Sequence, residues 1–517
     1  MTTEARRCCF CLALLLASSC AHGSSGAERP DARAVARAPA ALAPAPAFFE
    51  ELASQARALA EQPATAPRTI ELPGELRDID YDAYRNIRFR PEKSLWRGEP
   101  GQFEVQFFHP GPGYREPVFI SVLDGGQAHA LPFSTELFSY QGFAAPPPAT
   151  GLEFAGLRVH AALNQASYRD EVVAFHGASY FRALGKGNVY GASARGLALN
   201  LGEAQPEEFP VFTRFYLLRP GARDTSLWIL ALLESRAATG AYAFHVQPGA
   251  TTWVDVSARL FVRDAHAALG LAPFSSMYLC GEEAPNCFGD FRPEIHDSDG
   301  LSLWAENGER LFRPLRNPKR TVTSSFRLDS PRGFGLLQRD REFDHYQDLE
   351  ARYQDRPSLW VEPVAGFERG SVRLLEIAAR SEFGDNIALA WMPETAPALP
   401  QAFDLRYRLH AGASVEGGAS AGHVQSTRLA RSERGLRFLV DFALAQSAEK
   451  PLPELVISGT GARVLEQHVE NNPHAHGLRA SFEVAPEPGA RELELRAFLR
   501  AEHDTLTETW SYAWQLD

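Results

Sequence analysis

Long apolar runs are missing from this sequence. The run near the N-terminus, "CCFCLALLLA" at 8–17, is too short to cross a bilayer as a stable helix, and no later stretch is long and apolar enough to do so. Basic charge is also short: 52 Lys and Arg face 64 Asp and Glu, a net charge of −12. A nucleic-acid partner would need a basic face for phosphates, so that class is excluded. Cysteine is almost absent beyond the first 26 residues, where only Cys280 and Cys287 remain, too few for a cysteine zinc site. Methionine is scarce at 3. Long helical periodicity is lacking after about residue 68, which argues against alternating helix–strand folds.

What is present starts with an export signal over 1–26. A short basic n-region, "MTTEARR", precedes the apolar run, and "SSCAHG" supplies small residues for cleavage. Two cleavage readings stand open. Cys20 after "LASS" resembles a lipoprotein site, although Ala17 sits where Leu is usual; cleavage after Ala21-His22-Gly23 is the other. The mature chain is expected in the periplasm, touching the membrane only through a lipid on Cys20 under the first reading. In that oxidising compartment Cys280 and Cys287, bracketing "GEEAPN", predict a short disulfide loop, with two separate buried thiols as the alternative.

Residues 27–46 are Ala/Pro-rich and read as a spacer. "FFEELASQARALAEQP" at 48–63 has helical apolar spacing ended by Pro63. The period then changes to two. "QFEVQFF" puts Phe103, Val105 and Phe107 on one face, and "SLWILALLES" is continuously apolar, as for a strand covered on both sides. The span 47–395 is expected to be one large, mainly antiparallel β domain. "MPETAPALPQA" at 392–402 marks the expected break. Beyond it, 396–517 reads as short strands of an immunoglobulin-like sandwich, beginning with the clean alternation of "FDLRYRLH".

Familiar chemical templates fail on spacing. "GKGNVYG" lacks the Lys-Ser/Thr of a phosphate loop, and Arg195 stands where a nucleophile elbow around Ser193 would need Gly. Counting from Asp297, "DSDG" departs from the calcium-loop pattern at positions six and twelve, which excludes an EF-hand and leaves only a calcium site of another kind open. No cofactor or metal is expected. Four segments combine aromatic, Arg and carboxylate residues: "GASYFRALGKGNVYGASARG", "FRPEIHDSDGLSLW", "ARYQDRPSLW" and "SEFGDNIALAW". Sugars are bound by such sets, with aromatic faces against pyranose C–H surfaces and charged groups on hydroxyls. Tyr180, Arg195, Trp304, Trp360 and Trp391 are therefore candidate sugar contacts. Glycoside cleavage needs an acid and a second carboxylate. Asp297 and Asp385 are candidates, although a turn or cap Asp bonded to backbone is the simpler reading of either one on the residues alone.

These segments, with "EEFPVF", "SRAATGAYAF", "GERLFRPLRNPK", "GFGLLQRDREFDHYQDLEARYQDRPSLWVEP" and "LTETWSY", resemble the periplasmic osmoregulated glucan biosynthesis proteins, types G and D, from about Phe48 to the end. The resemblance implies an all-β chain. A large N-terminal galactose-mutarotase-like β-sandwich would carry a glucan groove, and an immunoglobulin-like β-sandwich would follow. It implies a role in making or processing β-1,2-linked periplasmic glucans, by anomer-inverting cleavage or transglycosylation, or as a non-catalytic accessory to an inner-membrane glucan synthase. It assigns the general acid to Asp385 of "DNI", the general base to Asp297 of "HDS", and a groove position to Tyr353. Asp299 is local support. The acid should hold its proton by desolvation from Phe383, Ile387 and Trp391, and Arg292 or His296 should help keep the base ionised. Two departures are plain: "SEFG" before Asp385 replaces an Asn/Asp/Thr-rich stretch, and "LEARYQDRPS" carries Ala351 and Gln354 where acidic residues occur.

Overall fold

A strand that alternates apolar and polar residues must bury one face, and the period-two segments do so here by stacking two large sheets. The structure is a computed structural model that describes residues 42–65, 68–142, 151–284, 289–415, 422–444 and 451–516. Most of the export signal and spacer, including Cys20, and also Cys287, lie outside the described residues. The chain is nearly all β, as expected, and its strand pairs are mainly antiparallel.

The smaller of the two large sheets has ten strands among the described residues. Its middle runs Asp170–His176, Tyr180–Ala183, Ser193–Arg195, Leu269–Ser276 and Ile387–Pro393, each beside the next. The larger has fifteen, and at its centre Gly333–Leu337, Ser358–Ala365, Phe403–Gly412, Thr251–Val262, Ala238–Gln247 and Leu227–Glu234 follow in order. Phe103, Val105 and Phe107 all enter the core between the sheets.

The continuous apolar run is covered on both sides. Leu227, Ile229, Ala231 and Leu233 enter the inter-sheet core. Leu230 and Leu232 meet the helix Phe48–Ala60, whose Phe49, Leu52, Ala53, Ala56 and Ala60 form its buried stripe. Thr239 donates its hydroxyl to the Ala56 carbonyl at 2.7 Å, fixing the helix on the sheet.

The strand after the Pro/Ala-rich break shows its predicted alternation, with Leu405, Tyr407 and Leu409 buried. The core it enters is the large one, because Phe403–Gly412 pairs with Thr251–Val262 on one side and Ser358–Ala365 on the other. Its polar face specifies that place. Asp404 meets its cross-strand partner Arg259 at 2.7 Å, Arg408 meets Asp255 at 2.6 Å, and His410 lies 3.1 Å from Glu362.

The C-terminal strands form a second sandwich. A four-stranded sheet of His423–Arg431, Leu436–Ala443, Gly477–Pro486 and Ala462–Asn472 lies against Glu454–Thr460, Glu492–Ala501 and Thr509–Gln515. Phe438, Phe482, Trp510 and Tyr512 fill the space, with Trp510 donating to the Thr427 hydroxyl at 3.0 Å. Thr509–Gln515 also pairs in parallel with Arg310–Pro314, so the large sheet continues into this sandwich. Buried Arg313 ties the two through Glu494 at 2.6 Å and Ser511 at 2.8 Å.

Candidate functional site

The short strand Tyr278–Cys280 organises the site. One side pairs with Ile295–His296, just before Asp297. The Asp297 amide donates to the Met277 carbonyl at 2.8 Å. One residue on, the Asn386 side chain accepts from the Tyr278 amide at 2.8 Å and donates to its carbonyl at 2.9 Å, imitating a strand partner. The "HDS" and "DNI" stretches are thus bolted to consecutive residues, although Asp297 and Asp385 are far apart in the chain. The structure anchors the two motifs at neighbouring points of one short strand.

Their electrostatics differ. Asp297 is buried, and the Arg356 guanidinium donates to its carboxylate. Arg356 lies 4.2 Å over the Tyr353 ring, and its stem passes so close to Gly191 that a Cβ there would stand 2.9 Å from it. Asp385 is exposed to water, yet protein surrounds it closely enough that desolvation raises its carboxyl above the usual range. The charges of Arg182, Arg195 and Arg356 oppose that rise. Arg356 is itself lowered to about 10, by burial working against the charges of Glu382 and Asp385. One guanidinium is thus bonded to Asp297 and within electrostatic reach of Asp385. The upward direction for Asp385 agrees with expectation, but its neighbours do not: Phe383 points into solvent and Trp391 lies in the core. The cation at Asp297 is Arg356, in place of the expected Arg292 or His296.

Among the other predicted contacts, Tyr180 and Arg195 are cross-strand partners, with Arg195 5.4 Å over the Tyr180 ring and 2.7 Å from Glu207. Arg195 is within electrostatic reach of Asp385. Tyr353 is 1% exposed and donates its hydroxyl to Glu382. Two tryptophans require correction. Trp391 is 0% exposed in the inter-sheet core, because it shares the inward parity of Ile387 and Leu389. Trp360 is buried in the C-terminal core, since it faces the opposite way from Leu359 and Val361. Neither presents a ring to a ligand. Trp304 ends the strand Gly300–Trp304, its ring covered by Arg310 at 4.2 Å and Arg332 at 5.5 Å. That places it four residues, roughly 13 Å, beyond Gly300 at strand rise. Asp299 accepts from the amides of Arg339 and Asp340, so its part is to shape that turn. Cys280 is disulfide-bonded; Cys287 lies outside the described residues.

Sequence reasoning did not single out Arg356 or Glu382 for these positions. Glu294, His296 and Asp299 each bring a ligand-type atom within 4.8 Å of the others, as do Glu294, Asp340 and His345. These groups are engaged with one another, His296 with Glu294 at 2.9 Å and His345 with Asp340 at 2.5 Å, and hydrogen bonding accounts for their convergence.

Comparison with known proteins adds a second line. The family model described as periplasmic glucan biosynthesis protein, MdoG, matches residues 48–514. Glucans biosynthesis protein G of Rhodopseudomonas palustris (strain BisA53) is 42% identical over 463 residues, covering 89% of this chain and 92% of that protein. The protein of the same name from Ralstonia nicotianae is 41% identical over 497 residues, covering 93% and 97%. That from Shewanella frigidimarina is 42% identical over 468 residues, covering 89% and 83%.

Proposed function

Given that the chain belongs to the MdoG family of periplasmic glucan biosynthesis proteins, we propose that it acts in the periplasm on β-1,2-linked glucan, cleaving or rearranging it with inversion at the anomeric carbon. Asp385 is the general acid in this reading and Asp297 the general base. The supporting observation is the unequal treatment of two carboxylates anchored to neighbouring residues. Asp385 is open to water but raised by its surroundings, as an acid must be to carry a proton near neutral pH. Asp297 is held in a fixed orientation by Arg356. Asp385 gives its proton to the glycosidic oxygen as the C–O bond breaks. Asp297 takes a proton from the water, or from the sugar hydroxyl, that attacks from the other face. Inversion needs about 6.5–9.5 Å between carboxyls, or more with a hydroxyl relay. A neutral polymer also suits a chain of net charge −12. The oxidising periplasm is consistent with disulfide-bonded Cys280. A lipid tether at Cys20 and an immunoglobulin-like role for the C-terminal sandwich belong to the same proposal.

The purified protein is incubated with linear β-1,2-glucan and new reducing ends are followed. Turnover that disappears in Asp385→Asn supports the reading. No turnover in the parent, or full turnover in the variant, sinks it.

A second reading is a glucan-binding accessory or carrier for the inner-membrane glucan synthase. It is favoured by the closure around Asp297, which is 5% exposed and bonded to Arg356 while Tyr353 is held on Glu382. Binding without turnover over long incubation distinguishes it.

A further inference from the structure

The three most exposed large apolar side chains among the described residues are Phe383, Leu349 and Phe291, at 94%, 84% and 79%. Single exposed apolar residues are ordinary. These three are grouped by an ionic hub. Each directly follows a carboxylate held by Arg292, which meets Asp290 at 2.8 Å, Asp348 at 2.8 Å and Glu382 at 2.9 Å. The carboxylates turn inward to one guanidinium, and the next residue of each loop is presented outward. Consecutive Cα atoms are about 3.8 Å apart, so the three apolar groups lie within the span of a short oligosaccharide.

The hub is joined to the candidate site. Glu382 also accepts the Tyr353 hydroxyl, Tyr353 carries Arg356 on its ring face, and Arg356 bonds Asp297. Phe383 itself stands two residues before Asp385.

We infer that Phe383, with Phe291 and Leu349, forms an apolar platform at the mouth of the site that takes the C–H faces of glucose units in a glucan chain leaving the catalytic position. This rests on the glucan reading above. Neutral sugars are the chemistry that fits: an exposed aromatic ring offers a face to a pyranose ring, and the flanking carboxylates accept from its hydroxyls. The same ring of carboxylates repels anionic lipid headgroups, which opposes a membrane-inserting role.

Calorimetry of the full chain with long linear β-1,2-glucan tests this, beside sedimentation with vesicles of anionic phospholipid. Phe383→Ala should weaken glucan affinity about tenfold, and Phe383→Tyr, which keeps the ring, should hold it within about twofold of the parent. Thermal midpoints should be unchanged, because the ring is in solvent. Glucan affinity equal in Phe383→Ala and the parent overturns the platform, and so does a parent that does not bind the glucan. Vesicle binding that Phe383→Ala abolishes while glucan affinity stays at the parent value overturns it in favour of a membrane surface. A parent that binds but does not turn glucan over removes the acid/base reading, and the platform is then supported or lost on the Phe383→Ala affinity alone.

Discussion

Raising the pH should weaken this fold in a window that one buried histidine sets. His296 is 1% exposed, with Nε2 2.9 Å from the Glu294 carboxylate and Nδ1 3.1 Å from Oε1 of Gln338. The Gln338 amide nitrogen donates to Tyr346 and to the Tyr353 carbonyl, which fixes its oxygen toward the ring. Both ring nitrogens therefore face acceptors, and only the imidazolium can donate from both. Burial alone would lower its pKa; the Glu294 bond, with the charges of Asp299, Glu294 and Glu282, overcomes this and raises it from 6.5 to about 9. Folding then favours the charged form. The contribution is fully present below pH 6.5 and is lost as pH rises through about 9. At about 1.4 kcal/mol per pH unit, that difference is worth about 3 kcal/mol. Two other shifted groups act mainly at lower pH. Burial raises Glu283 to about 7, so its cost accrues from the ordinary carboxylate range up to that pH, and burial lowers His109 to about 4, so its cost accrues only on acidification. Denaturant unfolding of the parent and His296→Gln at steps from pH 6 to 9 checks the argument. The parent should lose about 3 kcal/mol more than the variant across the window. Parallel profiles would falsify the protonated, paired histidine.

The acid role proposed for Asp385 has a pH signature: turnover should fall as pH rises through its raised pKa. Because Arg182 opposes that rise, Arg182→Gln should move the alkaline limb to higher pH, and a limb that moves down or stays counts against the assignment. Asp385→Asn should reduce turnover at least about a hundredfold, read by reducing ends, while calorimetry shows glucan still bound. Arg356→Ala leaves the Asp297 side chain, 6% exposed, without its cation; a loss of about 3–5 kcal/mol is expected by denaturant unfolding, partly restored by adding Asp297→Asn. The Trp391 Nε1 has no hydrogen-bond partner in its core position. Trp391→Phe should therefore cost less than about 1.5 kcal/mol and leave glucan affinity intact, whereas Trp391→Ala should cost about 3–5 kcal/mol.

Much of the fold was legible because burial writes itself into short periods. Phe103, Val105 and Phe107, the helical stripe over 48–60 and the doubly covered "SLWILALLES" all follow from local spacing. The same rule, applied to "DNIALAW", places Trp391 with Ile387 and Leu389 in the core; proximity to a motif was the weaker guide. The partners that shape the site left no local trace. Arg356 is 59 residues from Asp297, and Glu382 is 90 from Arg292. A Pro/Ala-rich break likewise shows where the chain surfaces and is silent on which sheet the next strand joins. The charges of Asp404 and Arg408 make that choice through partners about 150 residues upstream.

The parallel pairing of Thr509–Gln515 beside Arg310–Pro314 has a consequence for assembly during export. The chain emerges N-terminus first, so Arg310–Pro314 is available on one side to Gly300–Trp304 while the other side waits for a strand about 200 residues behind it. Until then it presents an open edge of unpaired amides and carbonyls, the kind that recruits strands from other molecules. Closing so distant a contact is slow. The last strand therefore works as a seal, and a truncation that removes 509–515 should show first as aggregation on secretion.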